Sequence, residues 1–142
     1  MASIRKHVVL NTAADTVWKM VGDPAAIIEW GPGIESCKMD GSKRILTLAQ
    51  GGTVEEEIVT IDPELLRIQY RVCSGLPLDS HLATVDVIEL SADSCMVVYS
   101  TDLTPTSFAK HIAGALAGSI RQLGEKYGNH RRIDGQATLI AT

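Results

Sequence analysis

Turn signals recur in this chain too closely for crossover helices to fit between them. From Ile34 to Asp102, the groups Gly41-Ser42, Gln50-Gly51-Gly52, Asp62-Pro63-Glu64, Ser74 to Ser80 and Ser91 to Ser94 divide the chain into six short, strand-like runs. A parallel pair needs a crossover of about a dozen residues or more, so these runs must pair antiparallel as a meander. A further strand is predicted ahead of them, where Ile4, Lys6, Val8 and Leu10 alternate with Arg5, His7 and Val9 up to Asn11.

Helical spacing fills the intervening stretch. Ala14, Val17, Trp18 and Val21 share one face, Asn11 or Thr12 is the expected cap, and Gly22-Asp23-Pro24 ends the helix. Ala25 to Trp30 allows one more short helix before Gly31-Pro32-Gly33. After the meander, Pro105 opens the longest periodic segment, Thr106 to about Tyr127. Its Phe108, Ile112, Ala115, Leu116, Ile120, Leu123 and Tyr127 recur at steps of three and four. Such a stripe must cover a sheet. The predicted class is therefore α+β: a seven-stranded curved antiparallel sheet around a long C-terminal helix, with two short helices between strands one and two. A bent sheet gripping one helix cannot close its concave face completely, so a cavity is expected.

At 142 residues, 45% of them hydrophobic, the chain suits one domain, expected over residues 1–128. Residues 129–142 mix polar and apolar side chains without a period and are read as a tail. Seventeen acidic against thirteen basic residues give a net charge of −4, with no basic run to neutralise a phosphate backbone, which argues against nucleic acid. The start, through Trp18, lacks the apolar stretch of a signal peptide or membrane span, so the expected location is the cytoplasm. Cys37, Cys73 and Cys95 match neither a C-x-x-C pair nor a disulfide framework and are read as free, buried thiols. His7, His81, His111 and His130 have no matching spacing of acids, so no metal site is expected. His111 is expected to face solvent, opposite the helix stripe. No Gly-rich phosphate motif and no nucleophile motif is present.

Strand phase sorts the polar residues by face. Val54, Glu56 and Ile58 share one face, and Thr53, Glu55 and Glu57 the solvated one, so Glu56 points in. A dry carboxylate there has its pKa raised. A bulge, or a salt bridge to Arg44 at the sheet edge, remains the alternative. Leu66, Ile68, Tyr70 and Val72 alternate with Arg67, Gln69 and Arg71, which turns the Tyr70 ring inward with a hydroxyl needing a partner. His81, Ala83, Val85 and Val87 lie opposite Leu82, Thr84 and Asp86, so His81 also points in, unless it is an edge or surface residue. Asp79, two residues earlier, is placed to fix its tautomer.

Val17-Trp18, the run from Gly22-Asp23-Pro24 to Trp30-Gly31-Pro32-Gly33-Ile34-Glu35-Ser36-Cys37, then Arg44, Gly51-Gly52, Glu56, Asp62 and Tyr70 form an ordered series. It resembles the polyketide cyclase/dehydrase-like branch of the START/Bet v 1-like (SRPBCC) superfamily, over about residues 3 to 127. The resemblance implies a helix-grip fold. It spans cyclases, dehydratases, lyases, lipid carriers and hormone receptors, and so says little about activity. Many relatives have a His where this chain has Gly31, so no role of that His carries over. In plant abscisic-acid receptors, distant members, the positions matching Glu35, Glu56 and His81 contribute polar groups to the pocket. At Glu35 that family has a Lys, and its gate and latch loops are not recognisable here.

Two functions follow as expectations. One is a cofactor-independent cyclase, dehydratase or lyase with Glu56 and His81 as acid/base groups and Tyr70 as a donor. The other is a non-catalytic binding or carrier protein for a hydrophobic, lipid-like or aromatic ligand. In both, Trp30, Leu46, Leu48 and Ile58 are expected walls, and Glu35, Arg44 and Asp79 further ligand-facing groups. Whether two copies pair as a homodimer stays open.

Overall fold

The computed structural model describes residues 1–128; residues 129–142, expected to form a tail, lie outside them. Strand β1 (Ala2–Leu10) leads into helix α1 (Ala14–Val21) and a short 3₁₀ helix, Pro24–Glu29. Then come β2 (Ile34–Asp40), β3 (Lys43–Leu48), β4 (Thr53–Asp62), β5 (Arg67–Ser74), β6 (Ser80–Ser91), β7 (Ser94–Thr104) and helix α2 (Ala109–Tyr127). The strands form one sheet in the order β1-β7-β6-β5-β4-β3-β2. Every neighbouring pair is antiparallel, so β2 to β7 are the predicted meander and β1 closes against β7.

The sheet bends where its ladders slip. Register shifts fall at Ile34/Ser36 in β2 and at Glu55/Glu56 and Ile58/Thr60 in β4, and irregularities of this kind bend a strand and increase its twist. The concave side receives α2, which packs mainly on β1 and then on β7. Val8, Leu10, Val85, Val87, Val97 and Leu103 from the sheet meet Ile112, Leu116, Ile120 and Leu123 from α2, all buried. Helix α1 adds Ala14, Val17 and Val21 to the same core.

Two local expectations are corrected, the cap of α1 and the burial of the cysteines. Helix α1 begins after Ala13 without a side-chain cap; the Thr12 hydroxyl instead donates to the Tyr127 carbonyl at 2.9 Å, tying the end of β1 to the end of α2. Pro105 opens a 3₁₀ turn, Thr106–Phe108, before the α-helix starts at Ala109. Of the free cysteines only Cys95 is buried, while Cys37 is half-buried and Cys73 exposed. Among the described residues no helix is long and apolar enough to cross a membrane.

Because Leu123 is fully buried between α2 and the sheet, Leu123→Ala should lower the stability by about 2–5 kcal/mol in chemical denaturation. Leu90→Ala, at a position 51% exposed, should change it by less than about 1 kcal/mol. Equal effects would contradict the packing of α2 described here.

Candidate functional site

Between the sheet and α2 lies a cavity of about 380 Å³, near the lower end of the roughly 300–1,000 Å³ range of small-molecule sites. Leu46, Leu48, Val54 and Val72 from the strands, with Ile112 and Leu116 from α2, give it apolar walls. Arg44, Glu56, Tyr70, His81 and Tyr99 bring polar atoms into it.

Arg44 and Glu56 are opposite one another on β3 and β4 and are 3% and 6% exposed. The Arg44 Nε and Nη2 groups donate to the same oxygen, Glu56 Oε1, at 2.8 and 2.7 Å. Nη1 donates to the Pro24 carbonyl at 2.9 Å, which fastens the 3₁₀ helix to the sheet. The guanidinium carbon also lies 4.8 Å from the centre of the Tyr70 ring, within cation–π range. Burial pushes the Glu56 carboxyl up from its ordinary value while the Arg44 charge pulls it down. The pair remains ionised at neutral pH, because protonating Glu56 would leave a buried guanidinium without its counter-charge. Oε2 takes no hydrogen bond from the described residues.

Tyr70 and Tyr99 point their hydroxyls at each other and hydrogen-bond. Ala83, opposite Tyr70 on the intervening strand β6, is small enough to let the two rings meet. Burial holds both phenols neutral, with Tyr70 well above its ordinary value and Tyr99 pushed up to about 12. Two hydroxyls share one hydrogen bond, so one O–H remains to be donated elsewhere.

His81 lies beside Tyr70, with ring centres 5.6 Å apart. Its Nδ1 accepts a hydrogen bond from the Val72 backbone N–H at 3.0 Å. That bond fixes the tautomer: Nδ1 is the acceptor, and the ring hydrogen sits on Nε2 as a donor. Burial lowers the pKa of the ring to about 4. The site is thus one compensated ion pair plus neutral donors.

Four residues expected at the site line no part of this cavity. Glu35 is the residue skipped by the register shift between Ile34 and Ser36 and is exposed. Asp79 precedes β6 and is exposed; its backbone N–H donates to Thr104, and the contact that fixes the His81 ring comes from Val72 instead. Trp30 is only 2% exposed, packed against Tyr99 with ring centres 5.7 Å apart. Ile58 lies beyond the Arg44 to Pro24 link, in a separate groove with Pro24 and Met39. The alternative of an Arg44 salt bridge is realised, but buried in the sheet rather than at its edge. His111, expected to face away, is at the cavity rim and stacks on Phe108 with ring centres 4.7 Å apart. Tyr99 was not singled out, although it shares a strand phase with buried Cys95, Val97 and Thr101; that alternation is the signal that reveals it.

The fold and the cavity define a helix-grip cavity protein. Over residues 1–126 the chain matches the family described as polyketide cyclase / dehydrase and lipid transport, and it belongs to that family. Among solved structures it is similar to the protein XoxI from Bacillus cereus, at 21% identity over 89% of this chain and 96% of that one, with a TM-score of 0.82. A START superfamily protein from Mycobacterium smegmatis is 20% identical over 88% and 96%, with a TM-score of 0.74. Norcoclaurine synthase from Thalictrum flavum, in complex with dopamine and hydroxybenzaldehyde, is 18% identical over 91% and 89%, with a TM-score of 0.66. At these identities the likeness is one of fold. No curated protein matches the sequence.

Removing one partner of a buried ion pair leaves an unpaired charge, so Arg44→Met should destabilise the protein by about 3–5 kcal/mol, and Arg44→Met with Glu56→Leu should recover most of the loss. Denaturation of the two variants checks this; a double variant as unstable as the single one would contradict it. For His81, the folded pKa of about 4 lies below the ordinary 6.5. The stability this contributes is present above about pH 6.5 and lost as the pH falls towards 4. The stability difference between wild type and His81→Phe should shrink over that interval, and the ring should titrate below pH 5 by NMR as the Nε2–H tautomer. Titration at or above pH 6.5 would refute the buried neutral ring.

Proposed function

We propose that the chain binds one small, uncharged, largely apolar molecule that carries an oxygen acceptor. The observation behind this reading is the pairing state of the cavity's polar groups. Arg44 and Glu56 compensate each other, so a charged ligand would bring an unmatched charge into a low-dielectric space at high cost. The His81 Nε2–H and the free hydrogen of the Tyr70–Tyr99 pair are left to meet an acceptor. The volume suits one or two rings rather than a whole two-chain lipid. The aromatic molecules held by the Thalictrum norcoclaurine synthase are of the same size class, on the same fold.

A second reading, chemistry of the cyclase, dehydratase or lyase kind, is favoured by the Glu56 carboxylate. Among the described residues its Oε2 is unengaged, and burial raises its basicity, so it is suited to take a proton while the neutral donors steady the resulting oxyanion. His81 then serves as a donor and not as the base.

Native mass spectrometry of the purified protein should retain a small neutral molecule, and incubation with it separates the readings. As a binding protein, Tyr70→Phe and His81→Phe should each weaken affinity about 5- to 150-fold, the equivalent of about 1–3 kcal/mol, with the molecule unchanged. As an enzyme, Glu56→Gln should lower kcat by about 10²-fold or more with a smaller effect on affinity. Unaltered affinity in both donor variants would overturn the donor assignment, and preferential retention of an ionic ligand would overturn the uncharged one.

A further inference from the structure

Helix α2 carries one glycine at the cavity, Gly114, and another one turn later, Gly118, and only the second is explained by packing. A Cβ on Gly118 would lie 2.8 Å from Pro32 Cγ, so the loop after the 3₁₀ helix can close against α2 only over a glycine. Gly114, one turn earlier on the same side, is different: among the described residues a Cβ there would meet nothing within 4 Å, its φ is not in the left-handed region, and it is exposed. A glycine in a helix interior costs about 1 kcal/mol relative to alanine. Nothing in the fold compensates for it at Gly114.

The vacancy lies on the cavity's open side. Exposed His111, Gly114 and Ala115 of α2 face exposed Pro32, Gly33 and Gln50 across it. Pro32 shuts this gap at Gly118, and one turn away the missing side chain keeps it open. His111, stacked on Phe108, holds its ring at the rim without filling the opening.

We propose that Gly114 forms the portal through which the ligand enters and leaves, and that the bare backbone at this position sets the width of molecule admitted. This rests on the cavity being the ligand site. The portal itself can be tested without a ligand. In a Cys37→Ser, Cys73→Ser background, Val54→Cys places a thiol on the cavity wall, while Cys95 stays sealed in the core. Its modification by methyl methanethiosulfonate, small and neutral, reports access. Val72→Cys, also on the wall, is the second reporter should Val54→Cys fold poorly.

Gly114→Trp and Gly114→Leu should slow modification at least tenfold, Gly114→Ala less than twofold, and Glu125→Trp, exposed near the far end of the same helix and lining no part of the cavity, less than twofold. Gly114→Ala should also melt at a higher temperature. Unchanged rates in both bulky variants, or equal slowing by Glu125→Trp, would overturn the portal. A lower melting temperature for Gly114→Ala would show that the fold itself needs this glycine, with the same consequence. A thiol gated at Gly114 in a protein that retains no small molecule would refute the proposed ligand while leaving the portal intact.

Discussion

The arrangement of the site depends on a buried ion pair between adjacent strands. Arg44 and Glu56 sit within the sheet, and the third arm of the guanidinium reaches the Pro24 carbonyl. One side chain thereby joins β3, β4 and the 3₁₀ helix that leads into the cavity loop. Desolvating two charges is expensive, and such pairs give little net stability over an apolar core of the same shape. What this pair contributes is position: a guanidinium has a fixed fork of donors, and satisfying three of them leaves it one pose. That pose divides the concave face, with the cavity on one side and Ile58 in its own groove on the other.

The same pair governs the neighbouring chemistry. The guanidinium faces the Tyr70 ring, and Tyr70 lies between Arg44, the Tyr99 hydroxyl and the His81 ring. Glu56 accepts both Arg44 hydrogen bonds through Oε1, so its charge is spoken for while one oxygen remains open. Burial favours the neutral forms of the tyrosines and of His81. The interior therefore combines fixed dipoles with an internally compensated charge, an environment that organises an uncharged polar ligand more readily than an ion.

How much of this was legible in the sequence follows from period and register. The meander, the long helix and the inward phases of Glu56, Tyr70 and His81 were readable because the alternation of buried and exposed residues survives along β4, β5 and β6, even beside the register shift at Glu55/Glu56. Glu35 was brought in by the resemblance and not by phase, and the register shift that turns it outward leaves no mark in a single sequence; Asp79 was misread because strand phase was extended two residues back from His81, into a loop. Trp30 and Ile58 are apolar and inward, yet the cavity ends before it reaches them: Tyr99 packs against Trp30, and the Arg44 to Pro24 contact, between residues 20 apart in sequence, stands before Ile58. His111 was assigned to solvent from the helix stripe alone. Its exposure is real, but only the facing loop shows that this solvent is the mouth of a cavity.

The composition of the walls and of the polar set suggests a division of roles inside the cavity. Apolar contact with Leu46, Leu48, Ile112 and Leu116 is non-directional and contributes about 25 cal/mol for each Å² withdrawn from water, whatever the molecule. It can hold many ligands and chooses poorly among them, since one methylene more or less changes binding by only about 1–3 kcal/mol. Under the proposed function, choice comes from the donors. The Val72 N–H commits His81 to presenting Nε2–H, so the ring cannot adapt to a ligand that offers only a donor without breaking a backbone contact. A ligand lacking an acceptor would strip water from that N–H and from the tyrosine pair without replacing it, at a cost of about 1–3 kcal/mol for each group left unmet. Under the proposed function, selectivity therefore begins with a hydrogen bond from the β5 main chain to a β6 side chain, made through an atom that never touches the ligand.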